Sequence, residues 1–103
     1  MVKGISSVVV FILLYACTSN SSPKQEASGK ELFRQNCVIC HGIQGDLMTN
    51  GAKNLSLSEM ALDERILVIT NGRNVMTGFG SKLSTDEIQK VARYTMNLNP
   101  NIH

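Results

Sequence analysis

Cys37-Val38-Ile39-Cys40-His41 constrains this chain more than any other stretch. Two cysteines three apart fall on nearly the same side of a helix. The histidine that follows is turned about 100° further round the axis. That spacing suits a flat macrocycle. Both sulfurs can bond one edge of it while the imidazole swings beneath to a central iron. C-x-x-C-H is a covalent haem-attachment pattern. The remaining residues are therefore read for whether they hold, cover or deliver a haem.

The beginning of the chain reads as an export signal. Lys3 supplies a positive charge, and Ile5 to Leu14 is a ten-residue, mostly apolar run. It has the length of a signal-peptide core and is short for a membrane span. Leu14-Tyr15-Ala16-Cys17 closes it and resembles the lipobox of bacterial lipoproteins, with Tyr15 in a slot usually held by a small residue. The expectation is cleavage after Ala16 and lipid on the Cys17 sulfur. Several acyl chains would anchor the protein stably. An ordinary export signal or an uncleaved signal anchor is the alternative. Residues 1–16 are thus read as signal peptide, 17–27 as lipidated N-terminus and tether, and 28–103 as one domain. The expected location is the cell membrane or outer membrane, facing the periplasm or the exterior.

Loss of sixteen of 103 residues leaves 87. A domain of that size is marginal on its own core, and a covalent porphyrin would add apolar surface. The formal charge of the whole chain is +2, and Lys3 leaves with the signal peptide. No strong field favours nucleic acid. The three cysteines are accounted for by one lipid site and one haem pattern, with a small strained Cys37–Cys40 disulfide as the poorer explanation.

Thr18 to Ala27 is polar, contains Pro23 and lacks an apolar period, as a flexible tether would. Three S-x-x-E pairs (Ser28 with Glu31, Ser56 with Glu59, Ser84 with Glu87) then read as capping boxes. They predict helices over about 29–40, 57–70 and 85–97. The second carries Leu62, Ile66 and Ile69 as its apolar stripe. The third carries Ile88, Val91, Thr95 and Leu98, with Tyr94 beside them. Between the helices lie two glycine-rich loops, His41 to Leu55 and Gly72 to Leu83. Loops that long in a small domain are expected to wrap something. The fold class is all-α, with three main helices and two long loops around one covalent haem.

Four segments together resemble the bacterial class I, monohaem cytochromes c. They are Gly29-Lys30-Glu31-Leu32-Phe33 leading to the C-x-x-C-H, Gly51 to Leu55, Gly72 to Gly80, and Leu83 to Ile88 with Tyr94. The resemblance spans about Ser28 to Leu98. It implies a cytochrome c fold, one haem c bound by Cys37 and Cys40, and iron held by His41 and Met76. It also implies that the His41 ring N–H meets a backbone carbonyl, which could come from Lys53. Gly29, Phe33 and Tyr94 resemble the place where first and last helices cross in that family. Two positions depart from the pattern. Thr77 follows Met76 where proline is usual, and no proline stands near Lys53. Both loops are expected to be looser for it.

The residues themselves also single out Met76, since it lies far beyond His41 in a loop that could return to the opposite face. Met60 and Met96 fall in predicted helices and suit core filling. Met48 and the terminal His103 remain alternatives, as does an open site. Histidine–methionine ligation leaves no vacant position, so the expected function is one-electron transfer without catalysis. The expected partners are a redox donor and acceptor and, through the lipid, a membrane. The protein would act as a monomer or as a subunit of a respiratory complex. A gas sensor or weak peroxidase with a displaceable distal ligand is the alternative. A zinc site lacks a fourth ligand and a partner motif, and a thioredoxin-like dithiol lacks its βαβ setting. Lys30, Arg34, Lys53, Arg73, Lys82, Lys90 and Arg93 could form a docking patch or an ordinary solvated surface.

Overall fold

The computed structural model describes Gly4 and residues 25–102. The expected signal peptide apart from Gly4, the expected lipidation site Cys17, most of the expected tether and His103 lie outside the described residues. Among the described residues four helices follow in order: α1 (Gly29–Asn36), α2 (Val38–His41), α3 (Leu62–Asn71) and α4 (Thr85–Met96). A 3-10 turn stands at Thr49–Gly51. Among the described residues there is no β-strand, only an isolated antiparallel bridge between Arg73 and Met76. No described helix is long and apolar enough to cross a membrane.

Helix α1 begins where Ser28 accepts a hydrogen bond from the Glu31 N–H at 3.2 Å. Only half the predicted box forms, because the Glu31 carboxylate accepts from Gln35 instead. The box that opens α4 is complete: the Glu87 N–H donates to Ser84 Oγ, and the Ser84 N–H donates to the Glu87 carboxylate. The two predicted helices around them hold, with one correction. The first does not run unbroken from 29 to 40. The chain breaks at Cys37, whose N–H still caps α1 on the Phe33 carbonyl, and restarts as α2.

The middle helix starts five residues later than its sequence suggests. Ser56 does not cap it. Its N–H and hydroxyl both donate to Asn54 Oδ1, making a local turn in which the serine is a donor rather than a cap. Ala61 precedes α3 with no side-chain cap. Met60 therefore lies in a loop, not in a helix.

Gly29 is what lets α1 and α4 meet. A Cβ there would collide with the Lys90 carbonyl, so any larger residue would push the helices apart. Beside it the Phe33 and Tyr94 rings pack with centroids 5.2 Å apart and planes tilted by 52°. Leu32, Phe33, Ile69, Leu83, Ile88, Val91 and Ala92 form the buried core between α1, α3 and α4. Each large side chain fully buried there contributes roughly 1.5–3 kcal/mol. Thr95 is buried too, as its spacing predicts, while Leu62, Ile66 and Leu98 pack half-buried against the cluster. With α1 and α3 both seated on α4, the two loops are left to enclose a cavity on one side of the bundle.

Candidate functional site

The cavity has a volume of about 640 Å³, and its wall includes Cys37, Cys40, His41 and Met76. That size falls within the roughly 300–1,000 Å³ of small-molecule and cofactor clefts. Helix α2 and its N-cap Cys37 bring the first three residues together, and the loop after α3 brings Met76. Met48 is not on the wall and is 59% exposed.

His41 is buried, and its Nδ1 lies 2.9 Å from the Lys53 carbonyl oxygen. A neutral imidazole donates through one nitrogen and accepts through the other. A carbonyl only accepts, so Nδ1 carries the proton and Nε2 keeps its lone pair. The loop that supplies Lys53 is closed by further backbone bonds, Leu47 N–H to the His41 carbonyl and Leu55 N–H to the Gly45 carbonyl.

The Met76 loop is closed differently. Arg73 and Met76 exchange both backbone hydrogen bonds, at 2.9 and 3.1 Å. Phe79 then donates to the Ile69 carbonyl and Gly80 to the Thr70 carbonyl, which fastens the loop back onto the end of α3. Gly72 makes this possible. Its φ of +76° suits glycine, and a Cβ would run into the Met76 carbonyl and the Gly78 nitrogen. The looseness expected from Thr77 is thus offset by main-chain bonds that the sequence pattern did not reveal.

Cys37 and Cys40 are not joined to each other. Burial pushes the Cys37 thiol up to about 11, and Cys40 adds to the rise while Lys82 opposes it. A thiol held protonated is the reverse of a reactive dithiol, whose thiolate is favoured. No group of three or more His, Cys, Asp and Glu among the described residues is placed to hold a metal ion by itself.

A family model described as "Cytochrome C oxidase, cbb3-type, subunit III" matches residues 24–94. The chain belongs to this family of c-type cytochromes. A cytochrome c6 of Gloeothece citriformis is 31% identical over 93% of this chain and 94% of its own. A cytochrome c6 of Leptolyngbya boryana is 36% identical over 68% of this chain and 88% of its own. The solved cytochrome c6 of the diatom Phaeodactylum tricornutum superposes with a TM-score of 0.58 at 32% identity, covering 65% of this chain and 85% of that one. The fold is the cytochrome c fold, and the protein is a cytochrome c6-like, monohaem electron carrier rather than an enzyme.

The cytochrome's covalent haem c fits the residues present. Two cysteines, a histidine with one nitrogen committed to a carbonyl, and a methionine share one cavity of suitable size. The wall also contains one residue that the sequence reading assigned to a helix and one that it passed over. Met60 lines it from the loop before α3. Arg65, only 4% exposed, lines it from within α3. The signal for Arg65 was available: it stands three residues after Leu62 and four before Ile69, on the apolar stripe itself.

Proposed function

We propose that this cytochrome is a membrane-anchored one-electron carrier in which His41 and Met76 ligate the haem iron and Cys37 and Cys40 hold the macrocycle by thioether bonds. The bond from His41 Nδ1 to the Lys53 carbonyl carries this reading. It leaves Nε2 as the free donor, fixes the ring's orientation and raises its basicity. When bound, the haem supplies a reversible one-electron couple. The Met76 thioether is a soft ligand that favours the reduced form and raises the potential. With His41 and Met76 both holding the iron, the protein would leave no site on it for a substrate. Ile39 and Val75 lie on the cavity wall yet are 82% and 74% exposed, which offers a redox partner an apolar contact beside it.

The oxidised protein should show the weak near-infrared methionine–iron feature, and the reduced protein should bind carbon monoxide slowly. Met76→Ala should remove the feature, admit carbon monoxide and lower the potential. Rapid carbon monoxide binding by the unaltered protein would instead favour the sensor or weak peroxidase. Met60 shares the cavity, so Met60→Ala is the matching control; loss of the feature in that variant, and not in Met76→Ala, would transfer the ligand role.

The lipid anchor rests on the Leu14-Tyr15-Ala16-Cys17 pattern and on the tether that follows it. Cys17→Ser should move the protein to the soluble fraction. Continued membrane attachment would point to a signal anchor or to a protein partner. The matched family's own description supports work as a subunit of a larger respiratory complex, and co-purification of the solubilised, tagged protein with other subunits would decide for that role over a free shuttle.

A further inference from the structure

Asn50 and Gly51 lie on the cavity wall, in the 3-10 turn of the loop after α2, and both are exposed. Among the described residues one backbone bond holds the Gly51 nitrogen, from its N–H to the Met48 carbonyl at 3.3 Å. A Cβ on Gly51 would meet nothing within 4 Å, so the turn has room to move. Asparagine is one of the thermally labile side chains. Its lability comes from ring closure, in which the next residue's backbone nitrogen attacks the side-chain amide carbon. A glycine in the next position leaves that nitrogen unhindered and the backbone free to turn. Asn71 also precedes a glycine, but it is the last residue of α3. The Gly72 N–H is bonded to the Val68 carbonyl at 2.8 Å, and Gly72 is hemmed in by the Met76 carbonyl and the Gly78 nitrogen. The other asparagines of the wall are restrained too. Asn36 donates to the Leu32 carbonyl, Asn54 Oδ1 accepts from the N–H and hydroxyl of Ser56, and Asn74 is followed by the β-branched Val75.

We propose that Asn50 is a site of spontaneous deamidation, which gives the cavity wall a carboxylate that it otherwise lacks. The Gly51 nitrogen bonds to Asn50 Cγ and gives up its proton, the Cγ–Nδ2 bond breaks, and ammonia leaves. Water then adds to either carbonyl of the cyclic imide, and opening yields aspartate or isoaspartate. Water is consumed, ammonia is released and no electron moves. Among the described residues the wall carries Lys53, Arg65 and Arg73 and no Asp or Glu, so the product is its first acidic side chain. The effect on the haem rests on the carrier reading above. A negative charge added to the wall favours the ferric form and lowers the potential, and salt reduces the shift because residue 50 is exposed.

The test incubates the full-length holoprotein in mildly alkaline buffer made with heavy-oxygen water and maps its peptides by mass. The Asn50 peptide should gain the mass of an amide-to-acid exchange that takes up heavy oxygen. It should convert about tenfold faster than the Asn71 peptide, the order set by one firmer backbone bond. Isoelectric focusing should show a more acidic band that grows in wild type. Asn50→Gln should lack that band, since its longer side chain cannot close the five-membered ring. Asn50→Asp should carry the extra charge from the start and lower the midpoint potential at low salt, with a smaller shift at high salt. An Asn50 peptide that stays unconverted, or converts no faster than the Asn71 peptide, overturns the site, and so does an acidic band that persists in Asn50→Gln. An Asn50→Asp potential equal to wild type overturns its effect on the haem. Absence of haem mass from wild-type protein sinks the carrier reading instead, while the peptide map still reports on Asn50.

Discussion

The two loops around the cavity face the same problem and are held by different means. The loop from Gly42 to Ala61, beyond its two local backbone closures, is fastened by side chains that arrive from elsewhere. His41 takes the Lys53 carbonyl, Arg65 takes Ser58 and Met60, and Asn99 takes Ser58 again. The loop from Gly72 to Leu83 is fastened by its own backbone, through the Arg73–Met76 pair and the bonds from Phe79 and Gly80 to the end of α3. Neither has the proline that the resemblance leads one to expect. Side-chain clamps tolerate varied backbone but depend on distant residues. Backbone clamps need no side chain but demand glycine where chains touch. The comparison teaches that a missing rigid residue need not mean a loose loop when other bonds supply the restraint.

Breaking the backbone clamp should have the largest effect. Gly72→Ala places a Cβ against the Met76 carbonyl at a φ of +76°. The expected cost is about 3 kcal/mol, the upper part of the range for local backbone strain. A thermal melt should show it, together with weakening of the near-infrared methionine–iron feature. Asn99→Ala strikes the other loop and should be milder, about 1–2 kcal/mol, since Ser58 keeps its bond from Arg65. For a domain this small, that is roughly 4–16 °C in melting temperature. The near-infrared feature should survive. An equal loss of that feature in both variants would erase the distinction between the loops.

Ser84→Ala lies outside both. It removes the complete capping box of α4 and should cost about 1 kcal/mol with no change in the haem spectrum. A spectral change there would mean that α4 itself positions the ligands. Glu26→Gln should do least. Its partner Lys90 is at the surface and also pairs with Asp86 at 2.9 Å, so the melting curve should not move measurably at ordinary salt.

The helices were legible where a local signal was also the structural cause. Ser28 and Ser84 cap because their hydroxyls reach an N–H three residues on, and that contact is written within four letters. Ser56 carries the same four-letter pattern and fails, because Asn54 competes for it. Cys37, Cys40 and His41 could be read as a site because five consecutive residues hold the arrangement. Met76 was reachable by the resemblance and by its loop. Met60 was misplaced because its predicted helix begins later than its capping pattern suggested. Arg65 was overlooked because a charged residue on an apolar stripe is ordinarily at the surface.

The sequence by itself determined the all-α class, the attachment motif and the caps of α1 and α4. Each follows from contacts between near neighbours in the chain or from a short pattern. Only the tertiary structure decided that a buried arginine bonds a threonine thirty residues away together with the Ser58 and Met60 carbonyls. Those bonds link groups whose meeting depends on how helices pack. No local pattern specifies it, and the need to satisfy each buried polar group does so only once the chain has folded.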